Sequence, residues 1–136
     1  MSRLLITGGA GFIGTNFIYH WFKKYPNDEL VVLDLLTYAG NRKNLEALEA
    51  NKNFKFVHGD ICDQLLVEKL LEDHSINTIV NFAAESHVDR SITDPDSFLN
   101  TNIMGTHALL KAAKKIWLEK NKVQDHRFHH VSTDEV

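Results

Sequence analysis

A glycine-rich turn between an apolar strand and an apolar helix constrains this chain more than any other feature. Leu4-Leu5-Ile6 has the short, branched and apolar character of a buried strand, and it runs into Gly8-Gly9-Ala10-Gly11-Phe12-Ile13-Gly14. The turn fits G-x-G-x-x-G from Gly9 and also the wider spacing of Gly8, Gly11 and Gly14. Without a Cβ the backbone can turn tightly and approach a pyrophosphate, while the N–H groups at the start of the next helix offer donors and a favourable dipole to that dianion. Asp34 ends the next strand 20 residues after Gly14. A carboxylate there accepts hydrogen bonds from the adenosine ribose and repels a 2′-phosphate. Strand, turn, helix and acid at this spacing predict a dinucleotide site for NAD rather than NADP. The alternative is a turn that only reverses the chain, with Asp34 an ordinary strand-terminal residue.

The rest of the chain alternates short apolar runs with helical periods, the pattern of a parallel sheet with crossover helices. Strands are predicted at Arg3–Thr7, Glu29–Leu33, Phe54–His58, Thr78–Phe82 and Arg127–Val131, each apolar enough to be buried on both faces. Helices are predicted from Phe12 to about Tyr25, near Arg42–Glu49, over Gln64–Asp73 after a cap at Asp63, and from about Asp96 to Lys120. In the third helix Leu65, Leu66 and Leu70, with Lys69 and Glu72, suggest an apolar stripe with a polar reverse side. The expected fold is therefore α/β, a Rossmann-type doubly wound parallel sheet of strand order 3-2-1-4-5. With no repeat or linker in sight, residues 1–136 read as one NAD-binding domain.

Charge and cysteine content exclude several function classes. Lys and Arg number 15 against 18 Asp and Glu, a net charge of -3 that argues against nucleic acid or an anionic membrane as partner. Lys111, Lys114, Lys115, Lys120 and Lys122 fall late in the last helix, where cations complement its dipole. No run approaches the roughly 18 apolar residues a membrane span needs, and Met1-Ser2-Arg3 leads straight into a strand, so a cytoplasmic protein is expected. The single cysteine, Cys62, reads as structural. His129 and His130 are neighbours on a strand and point to opposite faces, so no metal site is expected.

More specific signals come from Asp34-Leu35-Leu36-Thr37-Tyr38-Ala39-Gly40-Asn41, Gly59-Asp60-Ile61-Cys62-Asp63, Ala83-Ala84-Glu85-Ser86-His87-Val88-Asp89-Arg90-Ser91-Ile92, Thr101-Asn102-Ile103-Met104-Gly105-Thr106 and Phe128-His129-His130-Val131-Ser132-Thr133-Asp134-Glu135-Val136. With the glycine turn, these segments resemble the dTDP-glucose 4,6-dehydratases, extended short-chain dehydrogenases/reductases that act on nucleotide sugars. The resemblance implies that Phe12 and Ile13 lie against the pyrophosphate and that Asp34, Leu35, Leu36 and Thr37 surround the adenosine ribose. It implies Asp60 and Ile61 beside the adenine, and Ala83, Ala84, Ser86 and Thr101 near the nicotinamide half, with Ser86 also touching the sugar. It further implies a homodimer. Each has a plainer reading: Asp60 and Asp63 as turn and cap residues, Asp89 and Arg90 as a local ion pair.

Paired carboxylates suit the removal of water, one taking a proton from carbon and the other giving one to the departing hydroxyl. In the family the C4 hydroxyl of the sugar is oxidised by NAD, the C4 ketone acidifies the C5 proton, water leaves across C5 and C6, and hydride returns to C6. The resemblance implies Glu135 as the base at C5, Asp134 as the acid at the C6 hydroxyl and Thr133 as the hydrogen-bonding group at the C4 oxygen. A working acid at neutral pH needs Asp134 protonated, which a closed apolar site and a second carboxylate promote. Other nucleotide-sugar dehydratases, 4-epimerases, or a non-catalytic NAD-binding module remain alternatives, with Asp134-Glu135 arguing against an epimerase. The family's Tyr-x-x-x-Lys is expected beyond Val136: Tyr19 with Lys23 matches the bare pattern but sits in the first helix. On this reading the 136 residues end before the last strands and the substrate region, and alone would be inactive, weak in NAD binding and prone to associate.

Overall fold

The computed structural model describes residues 1–36, 41–83 and 92–132. Five parallel strands form one sheet: β1 (Arg3–Thr7), β2 (Glu29–Asp34), β3 (Phe54–His58), β4 (Thr78–Asn81) and β5 (Arg127–His130). They lie in the order β3-β2-β1-β4-β5, as expected. The order reverses direction at β1, which pairs Leu4 with Leu30 on one side and with Thr78 on the other. A crevice opens at such a point, beyond the carboxyl ends of the strands.

The side-chain period of two divides each central strand between two cores. Leu4 and Ile6 of β1, with Leu30 and Val32 of β2, face helix α1 (Phe12–Lys24) and its buried Ile18 and Phe22. The same core takes Leu45 and Leu48 from the 3-10 helix Arg42–Leu48. Leu5, Val31, Leu33 and Ile79 face the other way. There they meet Val67, Leu70 and Leu71 of α2 (Gln64–Asp73), and Leu109, Ile116 and Trp117 of the long helix α3 (95–119). The sheet is thus doubly wound. Helix α3 alternates α-helical turns, Pro95–Phe98 and Thr106–Ala113, with wider π-type turns, Leu99–Gly105 and Lys114–Glu119. Pro95 opens it, where a missing N–H costs nothing, and Asp94 caps it by accepting the Ser97 N–H.

Three sequence expectations change. Burial on both faces holds for β1, β2 and β4 but not for the edge strands β3 and β5, where single faces are half-buried or exposed. In α2 the buried face is Val67, Glu68, Leu70 and Leu71, whereas Leu65 is 76% exposed. Glu68 is tolerated there because Lys115 of α3 meets it at 3.0 Å. Cys62 is exposed. The lysines do more than solvate a helix end: Lys115 of α3 pairs with Glu68, and Lys120 and Lys122, which lie past the end of α3 at Glu119 rather than within it as expected, both reach Glu72. Among the described residues no helix is long and apolar enough to cross a membrane.

Candidate dinucleotide site

The chain turns at once after β1. Gly8 has φ +70°, a conformation side-chain-bearing residues avoid, and its N–H donates to the Leu33 carbonyl at 3.0 Å. A Cβ on Gly8 would stand 2.7 Å from the backbone of Phe82 and Ala83. At the start of α1, a Cβ on Gly14 would meet the Gly8 carbonyl oxygen at 2.5 Å and Gly9 Cα at 2.8 Å. Turn, helix start and the end of β4 are therefore packed backbone against backbone. The Gly11 N–H donates to the Gly8 carbonyl at 3.3 Å. No side chain caps α1 and no acid lies in its first turn, so the positive end of its dipole is not neutralised from within the helix. Phe12 and Ile13 on that turn are 81% and 64% exposed.

Asp34 ends β2 beside this turn and is buried. Its Oδ2 accepts the Ala10 N–H at 2.9 Å and its Oδ1 accepts the Leu36 N–H at 2.7 Å. Each carboxylate oxygen keeps a second acceptor site for another donor. The acid is anchored without being saturated. Leu35 is exposed, and its carbonyl accepts the His58 Nε2 hydrogen at 3.0 Å. Leu36 sits in the left-handed region at φ 58°, uncommon for a branched residue and a local strain at the mouth of the site.

The next crossover brings Asp60 and Ile61 to the same edge. Asp60 accepts the Cys62 N–H at 2.9 Å, the turn role weighed for it, and Asp63 caps α2 by accepting the Leu66 N–H at 3.2 Å. Ile61 is buried and fills the space against Gly105 of α3, about one turn beyond the half-buried Thr101. Burial, then the charge and hydrogen bond of Asp60, hold the Cys62 thiol above its ordinary pKa. Its Sγ–H donates to the Asn100 carbonyl at 3.3 Å. Among the described residues no group of three His, Cys, Asp or Glu could hold a metal ion.

Residues that no motif singles out tie the edge together. Thr7 and Asn81, at the ends of β1 and β4, are almost fully buried, and the Thr7 hydroxyl donates to Asn81 Oδ1. The same oxygen accepts the Ala83 N–H at 3.2 Å, while Asn81 Nδ2 lies 3.1 Å from His130 Nδ1 at the end of β5. With the amide donating, His130 accepts at Nδ1 and carries its proton on Nε2. An asparagine closing the apolar run Thr78-Ile79-Val80 is the sequence signal for this network. Of the expected site residues, Gly8, Gly11, Phe12, Ile13, Gly14, Asp34, Leu35 and Leu36 lie where the chain leaves the adjacent ends of β1 and β2. Asp60 and Ile61 follow the end of β3 and Ala83 the end of β4, while Thr101 lies on α3. Thr37, Ala84, Ser86, Thr133, Asp134 and Glu135 lie outside the described residues, as do Asp89 and Arg90.

Comparison with known proteins gives a consistent picture. The family model described as GDP-mannose 4,6 dehydratase matches residues 5–136. The dTDP-glucose 4,6-dehydratase of Salmonella typhimurium is 47% identical over 136 residues, covering 98% of this chain and 37% of that protein. The enzyme of the same name from Xanthomonas campestris pv. campestris is 50% identical over 138 residues, covering 100% of this chain and 39% of that protein. The crystal structure of dTDP-glucose 4,6-dehydratase from Bacillus anthracis in complex with NAD superposes with a TM-score of 0.84 at 36% identity, over 100% of this chain and 39% of that one. The chain thus spans less than two fifths of the length of the relatives it matches.

Proposed function

Because this chain belongs to the GDP-mannose 4,6 dehydratase family, we propose that it carries the NAD-binding part of a dTDP-glucose 4,6-dehydratase. That lyase converts dTDP-glucose to its 4-keto-6-deoxy product and water. The observation that carries the reading is the cradle of bare backbone at Gly8 and Gly14, with Asp34 anchored beside it and two acceptor sites to spare. These residues fit a dinucleotide: any Cβ would fill the cradle, and the uncapped start of α1 suits a pyrophosphate.

Gly8, Gly11, Phe12, Ile13 and Gly14 would hold the pyrophosphate, and Asp34 with Leu35, Leu36 and Thr37 the adenosine ribose. Asp60 and Ile61 would flank the adenine, and Ala83, Ala84, Ser86 and Thr101 the nicotinamide half. When bound, NAD supplies a reversible hydride acceptor for the C4 position of the sugar. The chain's own residues move the protons: Glu135 takes the one at C5, Asp134 gives one to the leaving C6 hydroxyl, and Thr133 hydrogen-bonds the C4 oxygen. Ser86 would also contact the sugar. The network of Thr7, Asn81 and His130 supports this reading, because it fixes the end of the strand that leads into Thr133.

The enzyme would act in the cytoplasm as a homodimer. Leu99, Ile103 and Leu110, exposed at helical spacing along α3, offer an apolar surface for a second copy. The test is mass spectrometry of the product formed from dTDP-glucose deuterated at C4. Deuterium recovered at C6 of a 4-keto-6-deoxy product supports the proposal. A C4 epimer with an intact C6 hydroxyl contradicts it.

A further inference from the structure

Ala10, in the middle of the glycine turn, is fully buried, and the end of β2 and the segment after it hold its peptide groups from two directions. Its N–H goes to Asp34. Its carbonyl accepts two donors, the Asn41 N–H and Asn44 Nδ2, each at 3.0 Å. A carbonyl only accepts, so the amide nitrogen of Asn44 is the atom that faces it. The Asn44 main-chain carbonyl in turn accepts the Tyr19 hydroxyl of α1 at 2.9 Å. Buried Leu45 and Leu48 root this short helix in the core. Asn44 is the point where the turn, α1 and the segment after β2 meet. Its position is exposed, where an asparagine is ordinarily hydrated, yet its side chain turns in to a buried carbonyl.

We infer that Asn44 is a positioning residue for the dinucleotide turn. Its side-chain amide holds the Ala10 peptide, and with it the N–H groups leading into α1, in the orientation that meets a pyrophosphate. The inference rests on the reading of this turn as an NAD site. Asp34 and Asn44 then grip the same residue from its two sides, so the acid that would select the ribose and the turn that would hold the phosphates are set by one segment.

Two substitutions separate the amide from the fold. Asn44→Asp keeps the shape but puts an acceptor against the Ala10 carbonyl; Asn44→Ala removes the bond, adds no charge and leaves Asn41 in place. Amide hydrogen exchange by mass spectrometry and NAD binding by calorimetry are measured on the intact protein. Exchange across residues 9–14 should rise about tenfold in N44D and by less in N44A, with β1 and β4 unchanged. The NAD dissociation constant should rise about tenfold in N44D and severalfold in N44A. Unchanged exchange at the turn, or a rise spread evenly over the sheet, overturns the inference. So does faster local exchange with unaltered NAD affinity, which would make Asn44 a structural prop only. If the unsubstituted protein binds no NAD, the cofactor reading fails, and exchange at the turn alone decides whether Asn44 holds it.

Discussion

The Asp34 carboxylate accepts the Ala10 N–H at 2.9 Å, joining the end of β2 to the middle of the glycine turn across 24 residues of sequence. One side chain therefore serves two ends: it satisfies a buried donor of the turn and presents negative charge where a dinucleotide ribose would lie. Asp34→Ala should destabilise the protein by about 1–3 kcal/mol, the cost of leaving a buried donor unpaired, as read by urea denaturation. An unchanged midpoint would mean that water takes over the Ala10 N–H.

Gly14→Ala should be more damaging at the site than its small volume suggests. The added Cβ meets the Gly8 carbonyl and Gly9 Cα, which are backbone atoms without rotamers to relieve the clash. A loss of about 1–3 kcal/mol is expected for such overpacking. NAD binding, followed by quenching of tryptophan fluorescence, should disappear in the same variant while the far-ultraviolet circular dichroism stays native.

The pair between Glu68 and Lys115 should matter more than its neighbours. Glu68 is buried in the interface of α2 and α3, and Lys115 is its close cation at 3.0 Å. Lys115→Ala should cost about 1–2 kcal/mol, because the acid is left buried without its partner, whereas Lys120→Ala, on an exposed pair, should stay within about 0.5 kcal/mol. Thermal unfolding of the two variants distinguishes them.

Burial, and then the nearby charge of Lys55, hold His74 below its ordinary pKa, with Asp73 and Glu29 opposing. The unfolded chain then takes up a proton at higher pH than the folded one. The contribution of His74 is complete above the ordinary histidine pKa of about 6.5 and is lost as pH falls through the window below it, until the folded protein is protonated as well. Urea midpoints measured from pH 8 to pH 5 should fall, and should fall less steeply in His74→Gln.

Much of this architecture is legible in the sequence because it depends on local pattern. The apolar runs of β1, β2 and β4 and the cap at Asp63 each state their role within a few residues. The edge strands do not. Phe54–His58 is apolar at three of its five positions and passes for a buried strand, and the strand order places it and the more polar Arg127–His130 at the borders of the sheet. The partners of Asn81 are opaque for a related reason, since Thr7 and His130 lie 74 and 49 residues away. Asn44 looks like a solvated residue of a short helix, and its contact with Ala10 exists only once the segment after β2 folds across the turn.

The most direct test of the dinucleotide site is a calorimetric comparison of NAD and NADP in the unsubstituted protein and in Asp34→Ala. NAD should bind at one site with NADP at least about tenfold weaker, and removal of the Asp34 charge should weaken NAD while narrowing that gap. NADP binding as tightly as NAD, or a preference that survives the loss of Asp34, would contradict the assignment of the turn and its acid as an NAD site.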